Sequence, residues 1–281
     1  MARRAAGSKT KRRALVTGAS AGIGEAFAER LASDGWNLCI VARRRDRLEE
    51  LARALRKRHE VRVDVVVADL TDTADLHRLE RRVARDASLE LLINNAGMAD
   101  FGRFIDRERD REEAEIRLNV LAVVRLTHAA LPGMVRRKRG AVINVSSAAA
   151  LLPGPWFAVY SACKAFLNTF TEAVHFELDG TGIRMQVLCP GLTRTEIFDS
   201  AGADVSSLPD FMWMSASEVV DQSLAALERG TVVCVPGLTN QALTSLSGLL
   251  PHEASGRIAQ FLTERTVKVL PRKTSRRRSG R

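Results

Sequence analysis

Cysteine, tyrosine and long apolar runs are all scarce in this 281-residue chain. No stretch of about twenty consecutive apolar residues occurs, so no membrane-spanning helix is expected. The four cysteines, Cys39, Cys163, Cys189 and Cys234, lie far apart among mostly apolar neighbours. That spacing fits neither a disulfide framework nor a metal site, and reads as reduced core residues of a cytoplasmic protein. The first thirteen residues are basic but have no apolar core, so no secretory leader is expected there.

Acids are missing from both ends. Residues 1–13 carry six Lys/Arg and residues 265–281 carry eight, with no Asp or Glu in either. Setting those fourteen aside from the 43 basic residues leaves 29 against 33 acids, so the net charge of +10 belongs to the ends. Such ends can meet phosphates or anionic lipid. They hold no aromatic side chain on which a base could stack, so no specific nucleic-acid binding is expected. The reading is a basic flexible tail over 1–12 and another over 266–281, with any membrane contact peripheral.

The richest stretch is Ala14-Leu15-Val16-Thr17-Gly18-Ala19-Ser20-Ala21-Gly22-Ile23-Gly24. A short apolar run ends in three glycines, and helical spacing follows at Ile23, Phe27 and Leu31. Glycine permits positive φ and a close approach to bare backbone. A helix beginning there aims unpaired N–H groups at whatever lies in front, and a pyrophosphate is the natural occupant. The spacing is G-x3-G-x-G.

Strands and helices then alternate. Strands are expected over 36–42, 62–68, 89–93, 141–145, 184–188 and 231–235, with a long helical tract over 107–137. The alternation implies a doubly wound α/β fold: a parallel seven-stranded sheet with helices on both faces, in a single domain over 13–237. A lid is expected at about 196–217, rich in Phe198, Phe211, Met212, Trp213 and Met214. A helical extension should follow over 238–265, able to pack on the body, a second subunit or a membrane surface.

Chemistry collects at the carboxyl ends of the strands. Arg43 ends the second strand, where an arginine can pair with a ribose 2′-phosphate and an acid would take the ribose hydroxyls. Arg44 can assist. Asp69-Leu70 closes the third strand and Asn94-Asn95-Ala96-Gly97 the fourth. Asn119 interrupts an apolar helix face, so it ties down backbone or holds a water. Ser146 and Ser147 end the fifth strand, and Tyr160 lies four residues before Lys164, on one helix face. Tyr160 is the one tyrosine of the chain, and Lys164 is one of three lysines between the tails.

With these motifs in this order, closing on Pro190-Gly191, residues 12–237 resemble the classical short-chain dehydrogenase/reductases. The resemblance implies a hydride exchanged between a nicotinamide and a carbonyl or secondary alcohol. It implies that Tyr160 donates the proton and that Lys164 lowers the phenol pKa and holds the nicotinamide ribose. Ser147, thirteen residues before Tyr160, would hold the substrate oxygen, and Asn119 a water of the proton relay. Gly18, Ser20, Ala21, Gly22, Ile23, Gly24, Asp69, Leu70, Asn95, Ala96, Gly97, Pro190, Gly191, Thr193 and Thr195 would line the cofactor. Arg43 favours NADP(H), with NAD(H) the alternative, since Ala21 stands where many NADP-preferring members carry a basic residue. The expectation is a reductase of an apolar ketone, working as a homodimer or homotetramer. The alternative is a catalytically idle cofactor-binding regulator of the same fold.

Overall fold

The structure is a computed structural model that describes residues 12–151, 154–249, 256–257, 260–261 and 268–269. Seven strands form one sheet: β1 (Arg13–Thr17), β2 (Asn37–Ala42), β3 (Val63–Val67), β4 (Leu89–Asn94), β5 (Gly140–Val145), β6 (Ile183–Leu188) and β8 (Val233–Cys234). Their order is β3-β2-β1-β4-β5-β6-β8, and every pairing is parallel. Strand order reverses between β1 and β4, and such a switch point opens a crevice at the carboxyl ends of the strands.

The strands are apolar along their length because both faces are covered. On one face α1 (Gly22–Ser33), α2 (Arg45–His59) and α8 (Ala216–Glu228) bury Phe27, Leu31, Leu48, Leu55, Val219 and Val220. On the other, α3 (Thr73–Arg85) and α5 (Ala122–Arg137) bury Leu76, Leu79, Leu126 and Met134. The tract expected as one helix over 107–137 is α4 (Arg109–Ile116), a π-helical turn (Arg117–Leu121) and α5, continuous from Arg109 to Arg137. By length and composition this helix could cross a bilayer. Ala122, Leu126, Ala130 and Met134 pack into the core, while Ile116 and Leu121 are exposed.

Helix α6 (Ala158–Glu177) lies beside β5 and β6. The segment after β6 holds α7 (Ile197–Ala201) and the short strand β7 (Ala203–Asp204). Its return is fastened at the base, where Met214 N donates to Leu192 O at 2.9 Å and Arg194 N to Met214 O at 3.0 Å. Helix α9 (Leu238–Leu249) begins the C-terminal extension. Lys268–Val269, within the segment read by composition as a tail, forms β9 and pairs antiparallel with β7. Residues 1–11 and 270–281, where most of the basic tail residues fall, lie outside the described residues.

Candidate active site

The crevice over β1 and β4 is built by mutual exclusion of side chains. Gly18 has φ +67°, and a Cβ there would come within 2.7 Å of Asn95 Nδ2 and 2.8 Å of Ala96 Cα. A Cβ on Gly24 would lie 2.3 Å from Gly18 O. The loop therefore folds tightly onto β4, and polar bonds fix it there. Asn95 Nδ2 donates to Thr17 O at 2.9 Å, while Asn95 N and Ala96 N both donate to Thr17 Oγ1 at 3.0 Å. Thr17, quoted only as part of the loop, is the residue that joins the two strand ends. No side chain caps the N-terminus of α1, so its N–H groups are turned to the crevice without a competitor.

Seventeen of the residues expected at a cofactor, Tyr160 among them, converge here. The lining includes Gly18, Ser20, Ala21, Gly22, Ile23, Arg43, Asp69, Leu70, Asn95, Ala96, Gly97, Pro190, Gly191, Thr193, Thr195 and Lys164. Tyr160, Ser146 and Ser147 complete it. Gly24 and Asn119 stand behind the wall and do not line it. Arg43 is exposed at the rim, its Nη1 3.7 Å from Asp69 Oδ2. Asp69 also accepts from Thr71 N at 2.9 Å and Thr71 Oγ1 at 2.7 Å. Burial opposes its ionisation, but those bonds and Arg43 outweigh it and hold the carboxyl below the ordinary range.

Arg44 folds over the glycine loop. Its Nε and Nη2 donate to Ser20 Oγ at 3.1 and 3.0 Å, and its Nη1 meets Glu196 at 2.7 Å. Glu196 stands at the start of the lid and was not singled out in the sequence. A second arginine, Arg47, pairs with it, and the two hold its carboxyl below the usual value.

Behind the crevice a buried amide ladder positions the helices. Asn94 Nδ2 donates to Thr127 Oγ1 at 3.0 Å and to Asn144 Oδ1 at 2.9 Å, and Asn144 Nδ2 donates to Thr171 Oγ1 at 2.9 Å. α5 and α6 are thus pinned to β4 and β5. Asn119 lies on the continuous helix that carries Thr127, and Lys164 on the helix that carries Thr171. Asn119, fully buried in the π turn, takes the first of its two open options: it ties down backbone. Its Oδ1 accepts from Met98 N at 3.1 Å and its Nδ2 donates to Met98 O at 2.8 Å. A Cβ on Gly97 would lie 2.9 Å from Asn119 Oδ1 and 3.5 Å from Lys164 Nζ, so glycine lets these two approach.

The two serines part company. Ser146 Oγ donates to Lys164 O at 2.9 Å and secures α6. Ser147 Oγ accepts from Ala149 N at 3.1 Å, and its hydroxyl beside Tyr160 draws the phenol pKa down. Lys164, 4 % exposed, donates Nζ to Val145 O at 2.9 Å and lies 5.5 Å from the centre of the Tyr160 ring.

One electrostatic expectation is corrected. The ammonium was expected to make the phenol acidic. In the structure burial prevails over the Ser147 bond and pushes Tyr160 up to about 12. Burial also pulls Lys164 down to about 8, which weakens the positive charge available to its neighbour. The phenol is held as a proton donor at neutral pH. Phe198 lines the crevice with this pair and belongs to a cluster of four rings: Phe101 and Phe157 with centres 5.5 Å apart, Phe101 and Phe198 6.4 Å apart, and Phe198 and Trp213 5.6 Å apart, edge to face.

Residues 12–206 match the family model described as short chain dehydrogenase. The chain belongs to the short-chain dehydrogenase family. It is 30% identical over 274 residues to the very-long-chain 3-oxoacyl-CoA reductase of Anas platyrhynchos, covering 94% of this chain and 80% of that one. A short-chain dehydrogenase from Sphingobium yanoikuyae in complex with NADPH superposes with a TM-score of 0.78 at 38% identity, covering 86% of this chain and 96% of that one. The bulky-bulky ketone specific alcohol dehydrogenase from Comamonas testosteroni superposes with a TM-score of 0.73 at 33% identity, covering 86% and 95%. The chain spans 65% and 56% of the lengths of the hydroxysteroid dehydrogenase-like proteins it matches in Gallus gallus and Homo sapiens, the second of which carries "inactive" in its name.

Proposed function

We propose that the protein is an NADP(H)-dependent reductase of apolar ketones. The observation that carries this reading is the meeting of Ser147, Tyr160 and Lys164 on one wall of a crevice whose opposite end is the glycine loop and Arg43. The residues fit a dinucleotide: the bare N-terminus of α1 and the glycines that exclude any Cβ suit a pyrophosphate, and Arg43 at the rim suits a 2′-phosphate. A reduced nicotinamide, when bound, supplies a hydride to the carbonyl carbon. Ser147 holds the carbonyl oxygen and Tyr160 gives it a proton as negative charge develops. Lys164 offsets the negative charge left on Tyr160, returns the proton and orients the ribose.

The substrate class follows from the aromatic rings. Phe101, Phe157, Phe198 and Trp213 offer apolar faces and few polar partners, which favours an apolar ketone over a sugar. Two similar proteins are named for keto substrates, in agreement with this. The four buried, unpaired cysteines are compatible with the reducing cytoplasm, where we place the protein. The stacked Phe166 and Phe170 and the exposed Phe176 on the outer side of α6 support a homodimer or homotetramer.

The test is NADPH oxidation in single turnover with a panel of ketones of graded bulk. Reduction of bulky apolar ketones, lost in Tyr160→Phe, is the expected result. NADPH binding with no turnover on any ketone would mark the regulator instead.

A further inference from the structure

Glu115 is 1 % exposed, and its Oε1 has no hydrogen-bond partner among the described residues. A buried carboxyl in that state has to be neutral or find a charge. It lies one turn before Asn119 on the same continuous helix, and α4 packs directly against α6. Ionisable groups flank it on two sides. From α6, Tyr160, Cys163 and Lys164 each feel its charge. From its own helix and the loop before it come Glu112 and Arg107. Arg107 Nε meets Glu112 Oε1 at 2.9 Å and its other end pairs with Asp100, which Arg111 approaches at 3.3 Å. Asp100, Arg107 and Glu112 border a cavity open to solvent beside Val159. Glu115 therefore sits on the helix that carries Glu112 of this cluster, and that helix packs on the one bearing Tyr160 and Lys164.

We propose that Glu115 is a positioning residue that holds a proton for the Tyr160–Lys164 pair and renews it from the Glu112 side of the helix. This rests on the reductase reading. Reduction moves one proton from Tyr160 Oη to the substrate oxygen. Lys164 returns a proton to the phenolate and is left neutral. The Glu115 carboxyl gives its proton to that amine and becomes a carboxylate. A solvent proton entering beside Glu112 restores it. One proton is consumed per turnover, and the hydride accounts for both electrons. Burial, then Glu112, raises the proton affinity of Glu115, and burial lowers that of Lys164, so the two are drawn toward one another.

The test uses the whole protein and two readouts. In infrared difference spectra a protonated carboxyl band is expected at neutral pH, absent in Glu115→Gln, with its midpoint moved up by Lys164→Met. With NADPH and a ketone that the parent reduces, Glu115→Gln should lower kcat about tenfold. Its alkaline limb should move to lower pH, because the carboxylate that raises Tyr160 and Lys164 is gone. KM should hold, and Glu115→Asp should recover the profile. A Glu115 midpoint indifferent to Lys164→Met, or a Glu115→Gln profile that overlays the parent's, overturns the proposal. The infrared arm needs no turnover, so a parent idle with every ketone sinks the reductase reading separately.

Discussion

Asn119 grips Met98 from both sides, accepting from its N–H at 3.1 Å and donating to its C=O at 2.8 Å. The amide fixes the loop that follows β4 just where Gly97 borders the crevice. It does so from a π-helical turn, an irregularity often found at functional sites. Replacement by leucine keeps the volume but leaves the part-buried N–H and C=O of Met98 without these partners. Asn119→Leu should lose about 2–4 kcal/mol of stability, read by denaturant unfolding, and should also weaken NADPH binding. Unfolding coincident with the parent's would mean that the two bonds contribute nothing.

Gly24 presses on Gly18. A methyl group there would sit 2.3 Å from Gly18 O and 2.4 Å from Asn95 Nδ2, and backbone cannot retreat as a flexible side chain can. Gly24→Ala should cost about 1–3 kcal/mol and remove measurable NADPH binding by calorimetry. Gly35→Ala is the control: its φ is +79° but nothing lies within 4 Å, so it should cost about 1 kcal/mol and leave binding intact.

Arg43 faces solvent with 74 % of its side chain exposed and only a long contact to Asp69. Arg44, by contrast, is engaged with Ser20 and Glu196. The freer cation is the one able to take a 2′-phosphate at small cost. Arg43→Ala should raise the Kd for NADPH about tenfold and leave that for NADH within twofold. The NADPH effect should shrink with added salt. Equal losses for both cofactors in a titration would remove the assignment to the 2′-phosphate.

The parts of this molecule legible in the sequence are those set by local pattern. The sheet follows from apolar runs bounded by turns, and the crevice from glycines and small residues at strand ends. The pairing of Tyr160 with Lys164 follows from helical spacing. What pattern could not reveal depends on contacts between distant residues. Nothing local indicates that Arg44 reaches Ser20 and Glu196, or that Asn94, Asn144, Thr127 and Thr171 join in one ladder. The strand at Lys268–Val269 has two residues and a basic setting, so no alternation could signal it. The acidified phenol was expected from proximity alone. The burial that reverses it is a tertiary property that helical spacing does not carry. Glu115 had a faint signal, an acid one turn before Asn119, but it follows Glu112 and Glu113 in a charged helix whose acids are ordinarily solvated.

Glu115 also makes a prediction about stability that is independent of turnover. Burial, reinforced by Glu112, raises its pKa from 4.5 to about 8, so the folded protein keeps a proton that the unfolded chain loses. Below pH 4.5 both states are protonated and the shift has no effect. Between 4.5 and 8 the unfolded state ionises while the folded one does not, so the stability associated with the neutral carboxyl is lost as pH rises. Above 8 both are ionised and the folded state bears a buried carboxylate. Glu115→Gln removes the titration without changing the shape of the side chain. Its unfolding free energy relative to the parent should therefore climb from near zero at pH 4.5 to a gain on the order of 3 kcal/mol at pH 8.5. Urea titrations at four pH values across that window would resolve the slope. A difference between the two proteins that stays flat with pH would mean that Glu115 ionises in the folded protein as readily as it does in the unfolded chain.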